Sequence, residues 1–164
     1  PGQTANRFIE KKAAVEGLSY RTHIQDVGWQ EYVSCGATSG TSGQSKRLEC
    51  IQIKLNNLDG GIEYRTHVQD IGWMEWVAND AMSGTSGQSK RLEAIQIRLT
   101  GAAANDYDVY YRVHSQNLGW LDWARNGQSS GTAGLSYRLE AIQVVLVPKG
   151  MPTPGPTVRA FVQG

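Results

Sequence analysis

The chain repeats itself three times, and this repetition strongly limits the folds that it can adopt. One segment occurs at residues 20–32, 64–76 and 111–123. Each copy is followed at a fixed distance by a second signature, Arg-Leu-Glu-x-Ile-Gln, which begins at Arg47, Arg91 and Arg138. Positions 20–55 and 64–99 are identical at 26 of 36 residues without a gap. Units this similar are expected to fold alike and to share one core.

The alternation of residues within a unit predicts β-strands. In Leu18–Asp26 apolar and polar side chains alternate, which is the period of a half-buried strand. Residues 26–28 form a predicted tight turn in which Gly28 adopts positive φ. A second strand is predicted over residues 29–33, and an Ile-rich strand over residues 47–55. A loop of small residues separates these two strands, and its recurring Gly40 indicates a backbone shape that a side chain would disturb.

Three such units predict an all-β fold with pseudo-threefold packing. We expect a single domain over 1–164, with units at 18–55, 62–99 and 109–146 and three or four strands in each. A β-prism is favoured, and a β-trefoil is the alternative. Residues 1–16 form an N-terminal extension. The tail, 147–164, is proline-rich, and a predicted strand at 157–162 closes the structure by pairing with the N-terminal piece or belongs to a following module.

Composition excludes two classes of partner. The formal net charge is +1, which provides no strong attraction for nucleic acid. The longest apolar run, Val144–Val147, is far too short for membrane insertion. We therefore expect neither nucleic acid nor membrane as a ligand.

The tryptophans divide into two sets by strand parity. The first set shares a face with acidic residues and is a candidate for stacking on sugar rings, beside hydrogen-bonding groups; tryptophans packed at the hairpin ends are the alternative. The second set shares a more apolar face and is the better core candidate. The first set is Trp29, Trp73 and Trp120; the second is Tyr32, Trp76 and Trp123.

A polar set recurs beside them. It offers three equivalent shallow sites for sugar hydroxyls, or a structural network that holds each hairpin. Its members are Arg21, His23, Gln25 and Asp26 in unit one, Arg65, His67, Gln69 and Asp70 in unit two, and Arg112, His114, Gln116 and Asn117 in unit three. We predict no metal site, because no second ligand type has suitable spacing. Glu49, Glu93 and Glu140 share a face with core isoleucines. Their expected partners are the arginines two residues earlier, or the first-strand arginines by cross-strand pairing.

Cys35 and Cys50 occur only in unit one. Their joint appearance in a single copy suggests a disulfide between the second and third strands, and two unrelated buried thiols are the alternative. The sequence has no nucleophile, metal or phosphate motif. Its carboxylates recur threefold, whereas a glycosidase needs one unequal pair. We therefore expect a protein that is not an enzyme and uses no cofactor.

Gly-Trp-x-x-Trp followed by Gly-Thr-x-Gly-x-Ser-x-Arg-Leu-Glu-Ala-Ile closely resembles the clostridial hydrophobic repeat with a conserved tryptophan, the ChW repeat. The resemblance covers all three units, with departures at Tyr32 and Leu135. It implies a protein that is secreted or attached to the surface of a Gram-positive bacterium, as part of a larger multidomain protein. It also implies non-catalytic binding.

These observations together favour a carbohydrate- or cell-wall-binding module with up to three related, multivalent sites. The alternative is a protein-interaction or adhesion module that uses one continuous apolar patch.

Overall fold

The computed structural model describes residues 17–164. Each unit contains two long antiparallel strands and three short ones. Unit one comprises β1 (Leu18–Ile24), β2 (Gly28–Trp29), β3 (Val33–Ser34), β4 (Ser39–Gly40) and β5 (Leu48–Leu55). Unit two comprises β6 (Gly61–Val68), β7 (Gly72–Trp73), β8 (Val77–Ala78), β9 (Ser83–Gly84) and β10 (Leu92–Thr100). A helix, α1 (Gly101–Asp106), leads to unit three, which comprises β11 (Tyr107–Ser115), β12 (Gly119–Trp120), β13 (Ala124–Arg125), β14 (Ser130–Ala133) and β15 (Leu139–Pro148). The last strand is β16 (Phe161–Gln163).

The two long strands of a unit pair along their whole length, because their alternating apolar residues turn to one side. Tyr20 lies opposite Ile53, and Thr22 lies opposite Ile51. The register shifts near the end of β1, where His23 pairs with Cys50 and Ile24 with Leu48. Glu49 is therefore the extra residue of a β-bulge, which re-aims the neighbouring side chains. The same shift occurs in the other two units.

The short strand after the loop connects each unit to the next in a closed ring. β9 of unit two pairs with β5 of unit one, and β14 of unit three pairs with β10 of unit two. β4 of unit one completes the ring on β15 of unit three. The result is three sheets, each containing one strand from another unit. The predicted all-β, pseudo-threefold, prism-like architecture is confirmed.

The core lies where the inner faces of the three sheets meet. Its members come from all three units and include Tyr20, Ile53, Tyr64, Ile97, Tyr111 and Val144, which are fully buried. Gly40 allows the ring to close, since it has φ of 112° and a Cβ there would lie 2.4 Å from the carbonyl oxygen of Glu140. The predicted requirement for glycine at this position is confirmed, and Gly84 and Gly131 meet it in the same way.

Two predictions about elements need correction. Residues 30–32 form a loop between two-residue strands, not one strand over 29–33. The closing strand comprises residues 161–163 and runs parallel to β14. The predicted extension 1–16, and hence any pairing with it, lies outside the described residues.

Candidate functional site

The outer face of each sheet carries a stack that we call the aromatic strip, in which an arginine lies between two aromatic rings. In unit one the guanidinium carbon of Arg21 lies 4.7 Å from the Trp29 ring centre and 4.8 Å from that of Tyr32. Its Nε–H donates to Gln52 Oε1 at 2.7 Å. The other strips are Trp73–Arg65–Trp76 and Trp120–Arg112–Trp123, with closely similar distances. Such cation–π contacts fix the orientation of both rings.

The strips differ at their outer end. Lys54 Nζ lies 4.2 Å from the Tyr32 ring centre, and the guanidinium of Arg98 lies 3.8 Å from that of Trp76. Val145 occupies the corresponding position in unit three. There the tail covers Trp123, which is only 8% exposed. Tyr32 and Trp76 are half-buried, so the prediction that this set belongs to the core is wrong for these two. Trp123 is buried as predicted, but beneath the tail on the outer face and not in the cluster where the three sheets meet.

The reason for that error is the loop at residues 30–32. Strand parity assigns alternate residues to opposite faces only where the backbone is a strand. Because the backbone leaves the strand after Trp29, Trp29 and Tyr32 reach the same arginine. The sequence assigned Arg21 to the polar set beside His23, but it did not place Arg21 between the two aromatic rings.

Each predicted histidine joins a buried carboxylate beside the strip. His23 Nδ1 lies 3.0 Å from Glu49 Oε1, and Arg47 Nε lies 3.0 Å from Glu49 Oε2. Because an ionised carboxylate only accepts hydrogen bonds, His23 donates from Nδ1. The His23 ring also meets Trp29 edge-on at 5.4 Å. Units two and three repeat these contacts through His67, Glu93 and Arg91, and through His114, Glu140 and Arg138. The predicted Glu–Arg partnership is confirmed.

The glutamines are brought together near the threefold axis, away from the strips. Gln25 Oε1 accepts from the Arg47 backbone N–H at 3.2 Å. Its counterparts Gln69 and Gln116 do the same. A polar recess of about 500 Å³ lies between the units, lined by three glutamines, three serines and three arginines: Gln25, Gln69, Gln116, Ser45, Ser89, Ser136, Arg47, Arg91 and Arg138. Asp26, Asp70 and Asn117 lie in the exposed turns beyond, each with positive φ. The structure therefore does not bring the predicted polar set together as one site per unit.

The two cysteines do not form the predicted disulfide. Cys35 Sγ accepts a hydrogen bond from the Leu146 N–H of unit three at 3.2 Å. Cys50 is fully buried on β5. Burial raises the pKa of both thiols, that of Cys50 to about 12. Both therefore remain protonated at neutral pH.

Within residues 17–164 no cluster of three or more histidine, cysteine or acidic side chains is arranged to hold a metal ion. The described part of the chain also has no helix of the length and apolarity needed to cross a membrane.

Comparison with known proteins gives one match. The family model described as Clostridial hydrophobic W matches residues 23–57, 67–101 and 114–148, which together make up well over half of the chain. No curated protein and no solved structure matches the chain.

Proposed function

Because this chain belongs to the Clostridial hydrophobic W family, we propose that it is a non-catalytic module that binds carbohydrate or cell-wall polysaccharide. It would act outside the cell or at the surface of a Gram-positive bacterium, as part of a larger protein. The observation that carries the proposal is the separation of the strips. Each half-buried Trp29, Trp73 and Trp120 lies on a different sheet beside its own arginine and histidine. Separate aromatic and polar surfaces suit repeating sugars better than one continuous protein partner.

The chemistry of a strip matches that of a sugar ring. A sugar has an apolar face of C–H groups and a rim of hydroxyls, so it is bound by an aromatic surface next to hydrogen-bonding groups. In unit two, Trp73 supplies the aromatic surface, and Arg65 supplies a guanidinium held by Gln96 Oε1 at 2.7 Å. Since this arginine is already oriented, a ligand would order few side chains on binding.

Units one and two are the better sites. Their second aromatic residues, Tyr32 and Trp76, are half-buried, whereas Trp123 in unit three is covered by the tail. Two sites on one rigid body would raise the avidity for a polymer even if each site were weak.

The test is a titration of tryptophan fluorescence with a panel of cell-wall and plant polysaccharides. We expect a saturable change that weakens in Trp73→Ala, with circular dichroism confirming that the variant is folded. Trp120→Ala is the matched control, because it removes the equivalent ring from the covered unit and should weaken binding less. Failure of every polysaccharide to change the fluorescence would count against the proposal.

A further inference from the structure

Unit three already binds an extended peptide, which is the chain's own proline-rich tail. The backbone N–H of Trp123 donates to Pro156 O at 2.9 Å, and that of Asp122 donates to Arg159 O at 3.0 Å. The N–H of Gly131 donates to Ala160 O at 3.0 Å, and β16 then continues along β14. These three donors define a surface that we call the edge groove. The tail is held there by main-chain hydrogen bonds, and its last residues add a strand to the edge of β14.

The other two units have the same groove, but only one is blocked. The corresponding residues are Glu31, Tyr32 and Gly40 in unit one, and Glu75, Trp76 and Gly84 in unit two. In unit one the Gly40 N–H donates to the side-chain oxygen of Gln30 at 2.9 Å. Unit two has Met74 at that position, and a thioether is a poor acceptor.

The Gly84 N–H points away from β5, toward the groove. The next N–H, that of Thr85, donates to Glu49 O at 3.0 Å. Gly84 therefore occupies a non-hydrogen-bonded position opposite Cys50 and directs its own N–H away from β5. Within residues 17–164, Gly84 has no counterpart of the acceptors that Gln30 and Ala160 provide in the other units. Because Gly84 is a buried residue, its N–H would gain a direct acceptor when an extended segment binds.

We propose that the edge groove of unit two binds an extended, proline-rich segment of another protein, in the same way that unit three binds residues 152–163. Proline suits the positions that face the three N–H groups of the groove, because these require only a carbonyl oxygen from the segment. The position of Arg159 requires an N–H as well, since the Arg159 N–H donates to Asp122 Oδ2 at 2.8 Å, and Glu75 is the corresponding carboxylate in unit two. A proline-rich segment is also extended before it binds, so it loses little entropy. Trp76 occupies the position of Trp123, against which Gly155 packs.

Unit two differs from unit three at one point in this groove. Arg98 stacks on Trp76 where unit three has Val145. Its guanidinium pairs with Glu63 Oε1 at 2.8 Å, and the side chain is 46% exposed. A segment bound to unit two therefore meets this guanidinium beside the Trp76 ring, which favours a segment that presents an oxygen at the position of Gly155.

The groove adjoins the proposed sugar-binding surface at the Trp76 ring, but the groups that bind in the two cases differ. The donors of the groove are backbone groups of residues 75, 76 and 84, whereas the sugar site is assigned to the side chains of Trp73 and Arg65. A substitution at Met74 therefore distinguishes the two, since it blocks the groove and leaves the strip intact.

The experiment titrates the ¹⁵N-labelled full chain with a synthetic peptide of residues 151–164, with a scrambled peptide as control. We expect saturable shifts of the Glu75, Trp76 and Gly84 amide resonances. Met74→Gln copies the block of unit one and should weaken binding by at least about tenfold. Polysaccharide binding should be unchanged in this variant.

The reverse substitution provides a second test that does not depend on the stability of Met74→Gln. Gln30→Met removes the block from Gly40 and should create a second site, with shifts at Glu31, Tyr32 and Gly40. Absence of shifts at Gly84, or equal binding by Met74→Gln, would overturn the proposal. So would shifts confined to Gly131, since the peptide would then only displace the tail. Dimerisation abolished by Met74→Gln would assign the groove to a second copy of this chain and would also overturn it.

Discussion

At the scale of single residues, one buried tyrosine hydroxyl in each unit ties that unit to its neighbour. The Tyr64 hydroxyl accepts from the Ile53 N–H of unit one at 3.0 Å and donates to Ala81 O. The Tyr20 hydroxyl accepts from the Val144 N–H of unit three and donates to Ala37 O. Tyr111 repeats the contact by donating to Gln128 O. Each hydroxyl therefore satisfies backbone groups from two chain segments at once.

These hydroxyls predict a loss of stability in alkali. Burial raises the pKa of all three tyrosines, that of Tyr64 to about 12. In the unfolded chain a tyrosine titrates near pH 10. The stabilisation is therefore fully present below about pH 10 and is lost as the pH rises through the folded pKa. Urea unfolding at a series of pH values from 8 to 11 should show a stability that falls only at the alkaline end.

Tyr64→Phe is the matched variant for this measurement. Removing the hydroxyl leaves the buried Ile53 N–H without its acceptor, so we expect a loss of about 1–3 kcal/mol at neutral pH. The alkaline fall should be smaller than in the wild type, because one of the three titrating groups is gone. Tyr137→Phe, at a half-buried position, is the control and should leave the free energy of unfolding at neutral pH unchanged. If Tyr64→Phe lost as much stability in alkali as the wild type, the Tyr64 hydroxyl would not be one of the groups responsible for that loss.

At this scale the sequence predicted some contacts and missed others for identifiable reasons. The Glu49–Arg47 pair was predictable because both residues lie on one strand, two positions apart. The contact of His23 with the same carboxylate was not, because the β-bulge at Glu49 re-aims that side chain. The contact between Cys35 and Leu146 was also missed, because it joins units one and three, whose relative placement no local pattern contains.

At the scale of elements, the shortest strands make the connections between units. β9 has only two residues, Ser83 and Gly84, yet it joins unit two to β5. A strand this short gives no periodic signal, since alternation needs about four residues to be recognised. The recurring glycine was the available sign, and it predicted a special backbone shape without identifying the neighbouring chain. The long strands, with their clear alternation, were predictable.

The close approach at Gly84 predicts a strong dependence on glycine. A Cβ there would lie 2.4 Å from Glu49 O and 2.8 Å from Cys50 Cα, and φ is 111°. Gly84→Ala must move β9 away from β5, so we expect a loss of about 3 kcal/mol or more. Gly87→Ala is the control, because φ is 75° but nothing lies within 4 Å of the new Cβ. It should cost only the backbone strain, about 1–2 kcal/mol. Equal losses in the two variants, measured by urea unfolding, would show that the approach to β5 is unimportant.

At the scale of the whole molecule, the exchange of short strands makes the three units interdependent. Without unit three, β4 has no partner in β15 and β10 has no partner in β14. The inner faces of the first two sheets would also lose part of the shared core. The chain is therefore a closed ring of units and not a row of independent modules. A row would expose its two ends, whereas the ring leaves no unit without neighbours.

A closed ring should tolerate a change in the order of its units but not the loss of one. In the structure, residues 56–60 are sufficient to lead from the end of β5 to the start of β6. By the threefold equivalence, a linker of the same length should lead from the end of β15 to the start of β1. We therefore expect a circular permutant to fold. It begins at Gly61, runs to Pro148 and continues through such a linker into residues 17–60. The matched deletion variant keeps only residues 17–106, which contain units one and two, and should not fold. Circular dichroism and urea unfolding measure both. A cooperative transition in the deletion would mean that each pair of units is stable alone, which the exchanged strands contradict.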